Sequence, residues 1–94
     1  MGKGVAITGM GLISAIGDNV SENYRSLVTG KIGIDRITQI DTVHRNEIMV
    51  GEIKDVNSIL EKKLDFDEND CSRTVLIGCI AAHEAIDQAG ISNI

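Results

Sequence analysis

Three stretches of the 94-residue chain carry a readable hydrophobic pattern, with polar or glycine-marked segments between them. The first is Val5-Ala6-Ile7, a continuous apolar run inside Gly4 to Thr8. Such a run predicts a short strand covered on both faces, as in a parallel or mixed sheet. Gly9, Gly11 and Gly17 follow, with Leu12, Ile13 and Ile16 between them, so the connection is expected to turn tightly and to be buried. The second pattern is Val20, Tyr24, Leu27 and Val28, spaced i, i+4, i+7 and i+8. It predicts a helix over 20–29 with that stripe as its apolar face. Asp18, Asn19 or Ser21 is placed to cap its start, and Gly30 stands where a left-handed residue would end it.

The third pattern is the longest. From Ser72 to Ala89, Val75, Cys79, Ala82 and Ile86 form one helical stripe, flanked by Leu76, Ile77, Ile80, Ala81, Ala85 and Ala89. Asp67, Glu68 and Asp70 precede it, at the end where a helix favours negative charge. Gly90 ends it, and Ile91 is placed to close a Schellman motif. The first three turns are apolar on most sides, so this helix calls for protein nearly all round it. Between the second and third patterns the signals are weaker. Lys31 to Arg45 reads as loops and short extended pieces, and Glu47 to Lys54 as a second strand with Gly51 as a bulge. Asp55 to Asp70 is polar apart from Ile59, Leu60 and Leu64, which predict short helical turns. No internal repeat or low-complexity tract interrupts the chain.

Composition narrows the classes. A hydrophobic fraction of 43% is ample for a folded core, although a single small domain of this length is stabilised only marginally. Tyr24 and Phe66 are the only aromatics, so burial must come from many Ile, Val, Leu and Ala contributions. The net charge of −5 argues against nucleic acid, whose affinity rests on neutralising phosphates with Lys and Arg. No apolar run is long enough to span a membrane, and Thr8 with its neighbouring glycines interrupts any secretory h-region. Cys71 and Cys79, if on one helix, would stand roughly 12 Å apart, beyond bridging distance. A reduced, cytoplasmic setting is the expectation.

Each candidate for chemistry has a plainer reading. Gly9-Met10-Gly11 after a strand invites a dinucleotide fingerprint, but Ser14 stands at the third glycine's place and the predicted helix starts too late. Cys71 near a helix start could be an activated thiolate, but Asp67, Glu68 and Asp70 oppose that charge. Cys79 and His83 stand at i, i+4 and would make half a metal site, with His44 and Cys71 as the remainder; no second paired spacing supports it. Asp65, Asp67, Glu68 and Asp70 look like an oxygen-ligand loop, yet Phe66 interrupts them and the central glycine is missing. Glu52, Asp55, Lys62 and Lys63 read as surface residues. No catalytic, cofactor-binding or metal-ligating residue is assigned.

Four ordered pieces carry a resemblance. Ile7-Thr8-Gly9-Met10-Gly11-Leu12-Ile13-Ser14-Ala15-Ile16-Gly17 resembles the first strand and loop of the β-ketoacyl-acyl-carrier-protein synthases. Tyr24 through Leu27 with Gly30-Lys31-Ile32-Gly33-Ile34 is similar to that family's first helix and its G-K-S-G-I-type turn. Val50-Gly51-Glu52-Ile53-Lys54-Asp55 resembles its A-G-E-V strand. Arg73 and Ala81-Ala82-His83-Glu84-Ala85-Ile86-Asp87-Gln88-Ala89-Gly90-Ile91 resemble its helix ending E-A-L-x-D-A-G-L. Ala15, Ile40 and Ser72 depart from the family's usual proline, aromatic and aspartate.

The resemblance implies an α/β chain, the N-terminal part of a thiolase-like fold: strand, loop and helix, a second strand, and a long buried C-terminal helix, incomplete in this chain. Residues 1–94 would be the N-terminal segment of the first of two similar halves, from a truncated gene product or a piece cut before the third strand. Family members load an acyl chain onto a cysteine and condense it with malonyl-carrier protein after decarboxylation, helped by two histidines, in fatty-acid or polyketide-type synthesis. A thiolate suits this as both strong nucleophile and good leaving group, and backbone N–H groups stabilise the oxyanion. Neither Cys71, Cys79, His44 nor His83 lies in the corresponding motifs, so no catalytic role carries over and these residues alone are expected to be inactive. Acyl-carrier protein, the remainder of the ketosynthase and a second copy of the full-length protein are the implied partners, with any basic docking patch mostly elsewhere. The other readings are a segment of a non-catalytic, chain-length-factor-like partner and a small stand-alone α/β binding module.

Overall fold

A computed structural model of the chain describes residues 2–64 and 72–91. The elements are α1 (Val20–Thr29), β1 (Ile34–Arg36), β2 (Met49–Gly51), α2 (Asn57–Leu64) and α3 (Arg73–Ala89). β1 and β2 pair antiparallel, with Ile34 opposite Gly51, Asp35 opposite Val50 and Arg36 opposite Met49. The described chain is thus a small α/β arrangement of two strands and three helices.

The expected strand over Gly4 to Thr8 has no partner among the described residues. It joins no ladder, and Val5 and Ile7 are 96% and 82% exposed. A strand exists through its neighbour's N–H and C=O groups, and β1 and β2 engage each other instead. The second strand is shorter than its pattern, and Gly51 sits in regular register opposite Ile34 rather than in a bulge.

Residues 9–13 give the fold its tightest contact. They run along α3 so closely that a Cβ at Gly11 would lie 1.6 Å from the Ala81 carbonyl oxygen, and one at Gly9 would lie 2.1 Å from that of Ala85. The obstacle in both cases is backbone, which cannot rotate away as a side chain can. Glycine is required here by the closeness of two main chains, and no positive φ is involved. The contact brings Ile13 onto Leu60 of α2 and Leu76 of α3, the buried cluster of the molecule. Ile53, Leu64, Ile77, Ile80 and Ala81 pack around it.

α1 has the predicted bounds. Asn19 caps it, its side chain accepting from the Glu22 N–H at 2.8 Å. Gly30 ends it at φ 75°, and the Lys31 N–H reaches the Ser26 carbonyl at 2.8 Å in a Schellman closure. Its orientation is the surprise. Asn23 and Ser26 are the buried residues, while Tyr24, Leu27 and Val28 are 68%, 70% and 69% exposed. At about 100° per residue, the apolar stripe is turned roughly a third of a turn from the buried face. The cause lies in the loop at 14–17, which presents polar groups to the helix. Asn23 donates to the carbonyls of Gly17 at 3.1 Å and Asn19 at 2.7 Å, and it accepts from the Ser14 hydroxyl. Ser26 donates to the Ile16 carbonyl at 2.6 Å. Rotating the helix would strand these groups without partners, at about 1–3 kcal/mol for each one left buried.

α3 starts on the Ser72 cap and ends at Gly90, φ 73°, with the Ile91 N–H on the Ile86 carbonyl at 3.3 Å. The expectation of a long buried helix needs correcting. Leu76 is its one buried residue, and Val75 is 48% exposed, because α2 and residues 9–13 cover only part of its circumference. Asp67, Glu68, Asp70 and Cys71 lie outside the described residues.

The radius of gyration is 16.1 Å, against about 12 Å for a compact domain of this length. The chain exposes 7257 Å², roughly 2,000 Å² more than the ~5,300 Å² of a monomeric protein of its mass. Gly11→Ala is expected to cost about 2–3 kcal/mol or more, since overpacking against backbone cannot relax by a rotamer change. Urea denaturation followed by circular dichroism reads this as a lower midpoint, and an unchanged midpoint would mean the close contact is wrong.

Candidate functional site

The first turn of α1, the end of α2 and the middle of α3 border a shallow cleft of about 450 Å³ lined by Lys63, His83, Glu84 and Asp87 among others. Glu84 is its centre. From α3 its carboxylate accepts the Leu12 N–H at 3.0 Å and the Val20 N–H at 3.0 Å. One turn on, the Gln88 carboxamide oxygen accepts the Met10 N–H at 2.6 Å. The i, i+4 spacing on α3 therefore matches the alternate N–H groups of an extended segment lying along it. Val20 is the first residue of α1, so the same carboxylate satisfies a donor that the helix cannot, at its positive end.

This occupancy decides the dinucleotide reading. The helix N-terminus that would face a pyrophosphate is filled by Glu84 and Asn19. Ser14, at the third glycine's place, bonds Asn23 and the Ile16 N–H. Gly9 and Gly11 approach a helix backbone, where the fingerprint would have them approach a phosphate.

The candidate metal residues are not brought together. Cys79 is half-buried on α3. His83, one turn on, has an exposed ring whose Nδ1 lies 3.2 Å from Asp87. His44 sits in the turn before β2 with its Nδ1 2.9 Å from Glu47. Among the described residues no three His, Cys, Asp or Glu side chains are grouped to hold a metal ion. Cys71 and the acidic stretch Asp65, Asp67, Glu68 and Asp70 lie outside the described residues.

Three residues that composition would leave in solvent hold the frame. The Glu52 side chain is only 13% exposed. It accepts from the Lys54 ammonium at 2.6 Å, the Thr38 hydroxyl at 2.5 Å and the Thr38 and Gln39 N–H groups at 2.6 and 3.2 Å. The Lys54 bond first, then the Thr38 hydroxyl, lower its pKa from 4.5 to about 2. Lys63 bridges Asp18 at 2.6 Å and Asp55 at 3.0 Å, tying α2 to the loops on either side. The Asp18 carboxylate raises its pKa most, with Asp55 adding and partial desolvation opposing. Arg73, in the first turn of α3, donates to the carbonyls of Ile53 and Asp55 and to the Asn57 side chain.

The pattern of the chain did not single out Asn23, Ser26, Glu84 or Gln88. Glu84 and Gln88 carried a usable signal, two polar groups one turn apart on an alanine-rich helix facing a G-x-G segment. The assembled residues position backbone; among those described, no nucleophile is paired with a base.

The family described as "Beta-ketoacyl synthase, N-terminal domain" matches residues 2–93, so the chain belongs to the β-ketoacyl synthase family. The 3-oxoacyl-[acyl-carrier-protein] synthase 2 of Staphylococcus aureus (strain COL) is 38% identical over 88 residues, 93% of this chain and 21% of that protein. The synthase 2 of Vibrio cholerae serotype O1 is 28% identical over 89 residues, again 93% of this chain and 21% of the relative. The chain therefore spans about a fifth of the length of these curated relatives. No solved structure matches it significantly.

Glu84→Ala is expected to leave the Leu12 and Val20 N–H groups without their acceptor, destabilising the fold by about 1–3 kcal/mol. Hydrogen exchange at those two amides should accelerate; unchanged protection would remove Glu84 from its place at the junction. Because its folded pKa lies below the ordinary 4.5, Glu52 contributes stability fully above about pH 4.5 and loses it as the pH falls toward 2. A carbon-detected carboxyl titration should find its midpoint near 2, and an ordinary midpoint would contradict the cluster.

Proposed function

We propose that residues 1–94 form the N-terminal segment of the N-terminal half of a 3-oxoacyl-[acyl-carrier-protein] synthase, with the thiolase-like fold of that family. The whole protein would join an acyl thioester to malonyl-carrier protein by decarboxylative Claisen condensation in fatty-acid synthesis. Acyl-carrier protein is then its partner, with a second copy of the full-length chain, and the cytoplasm its setting. Among the described residues no helix is long and apolar enough to cross a membrane. The observation that carries this reading is the match of residues 2–93 to the family's N-terminal domain. Two named synthases that align over 93% of the chain support it.

On this reading the segment is scaffold. A condensing site needs a nucleophilic thiolate beside an oxyanion hole, whereas the polar groups here are spent on the backbone of residues 10–20. Glu84, Gln88, Asn23 and Ser26 fix the path of the first loop and the seat of α1. The excess of exposed surface favours this role over a stand-alone binding module, which would bury its own apolar side chains.

The test is a chimera in which the 88-residue stretch of this chain that aligns with the Staphylococcus aureus enzyme replaces its counterpart there, assayed beside the 94-residue chain by itself. The chimera is expected to form 3-oxoacyl-carrier protein and the short chain to form none. Condensation by the short chain, or an inactive chimera, would overturn the proposal.

A further inference from the structure

The segment 37–48 joins β1 to β2, leaving the ladder at Arg36 and returning to it at Met49. Ile37, at its start, is seated in the molecule at 8% exposure. Beyond it no residue from 38 to 48 is buried, and Ile40 and Val43 are 64% and 90% exposed. A connection of this length falls among the compact loops whose ends lie close together. Apolar packing does not hold this one down.

Polar groups do, and they form two sets. The first is internal to the loop. The Arg45 guanidinium donates to the Ile40 carbonyl at 3.4 Å and lies 3.6 Å from the Asp41 carboxylate. The His44 carbonyl accepts the N–H groups of Glu47 and Ile48 at 2.9 and 3.1 Å. The second set fastens the loop to the body, and it is gathered at one place. Glu52 takes the Thr38 hydroxyl and the N–H groups of Thr38 and Gln39. The Lys54 ammonium bonds Glu52 at 2.6 Å and the Arg36 carbonyl at 2.8 Å, and the Lys54 carbonyl accepts from the Gln39 side chain at 2.8 Å. Among the described residues the loop's remaining hydrogen bond to the body is the exposed one from Arg36 to Asn46, at 3.3 Å.

We infer that residues 38–48 are a flap, latched to the body by Glu52 and Lys54 and able to swing out as a unit when that latch is released. Its pivots are the seated Ile37 and the start of β2. A polar latch suits release, because each of its groups regains hydrogen bonds to water on opening, whereas an apolar seat would expose its surface. The internal bonds travel with the flap, since Asp41, His44, Arg45 and Glu47 all lie on the moving side. Segments with few buried apolar contacts and exposed hydrogen bonds are the ones that open locally while the core stays closed.

The experiment measures the distance between nitroxides on Val43→Cys and Thr74→Cys, exposed positions on the flap and on α3, in a Cys71→Ser/Cys79→Ser background of the 94-residue chain. Double electron–electron resonance is expected to give a narrow distribution with Glu52 present and a broad one in Glu52→Ala. The second variant, Lys54→Gln, keeps the Glu52 acceptor and removes its charged partner. There hydrogen exchange at the Thr38 and Gln39 amides should be about tenfold faster. In both variants the Glu47 and Ile48 amides, whose acceptor moves with them, should exchange as in the parent, and so should Leu60 and Leu76 in the helices. An unchanged distance distribution would overturn the inference, because something other than the latch would then hold the loop. Faster exchange at Glu47 and Ile48 would also overturn it, since the loop would be unravelling and not swinging. Faster exchange at Leu60 and Leu76 in both variants would mean that the whole fold loosens, and the flap would fall with it.

Discussion

The structure depends on how near one extended segment comes to one helix. Gly9 and Gly11 bring the main chain of residues 9–13 against the carbonyls of Ala81 and Ala85, at a separation no side chain would permit. Gln88 and Glu84 then convert that proximity into register by taking the N–H groups of Met10 and Leu12. Everything else is placed by it: Ile13 reaches Leu60 and Leu76, and Glu84 extends to the first N–H of α1. Close packing of two backbones removes nearly all slack, so the contact acts as a datum for the elements on both sides.

From that datum the chain builds a hinge-free corner of polar groups. Asn23 and Ser26 are buried, yet each finds its partners in the loop at 14–17. Buried amides and hydroxyls that are fully bonded specify one orientation, because every alternative leaves something unpaired. The buried face of α1 is therefore polar and its apolar stripe lies exposed about a third of a turn away, unlike a helix that closes its own small domain.

Where structure is local, the pattern of residues announced it. Asn19 and Gly30 delimit α1, and Ser72 and Gly90 delimit α3, because caps act within a few residues of the backbone groups they satisfy. The family, too, was legible from four short motifs in order. What could not be read was which way each element faces. Tyr24, Leu27 and Val28 form a convincing stripe, but a stripe says only that something covers it, not that the covering lies within these residues. The run at Val5 to Ile7 joins no ladder for a related reason: pairing is a property of two segments, and no described segment pairs with it. Glu52 and Lys63 looked solvated because charge usually is, while Thr38 and Asp18, which help to hold them, lie 14 and 45 residues away. The absence of an assigned catalytic residue rests on motif comparison alone.

Lys63 and Arg73 perform similar tasks with different chemistry. Lys63 joins α2 to its surroundings through two carboxylates, Asp18 and Asp55. Arg73 joins α3 to the chain before α2 through main-chain carbonyls and an amide. Dissolved ions screen the attraction between opposite charges at partly exposed sites, with a Debye length near 8 Å at physiological ionic strength. They act far less on a cation bound to neutral oxygens. The junction of α2 with the start of α1 is therefore the one that brine loosens, whereas the seam between α2 and α3 keeps its grip in concentrated electrolyte.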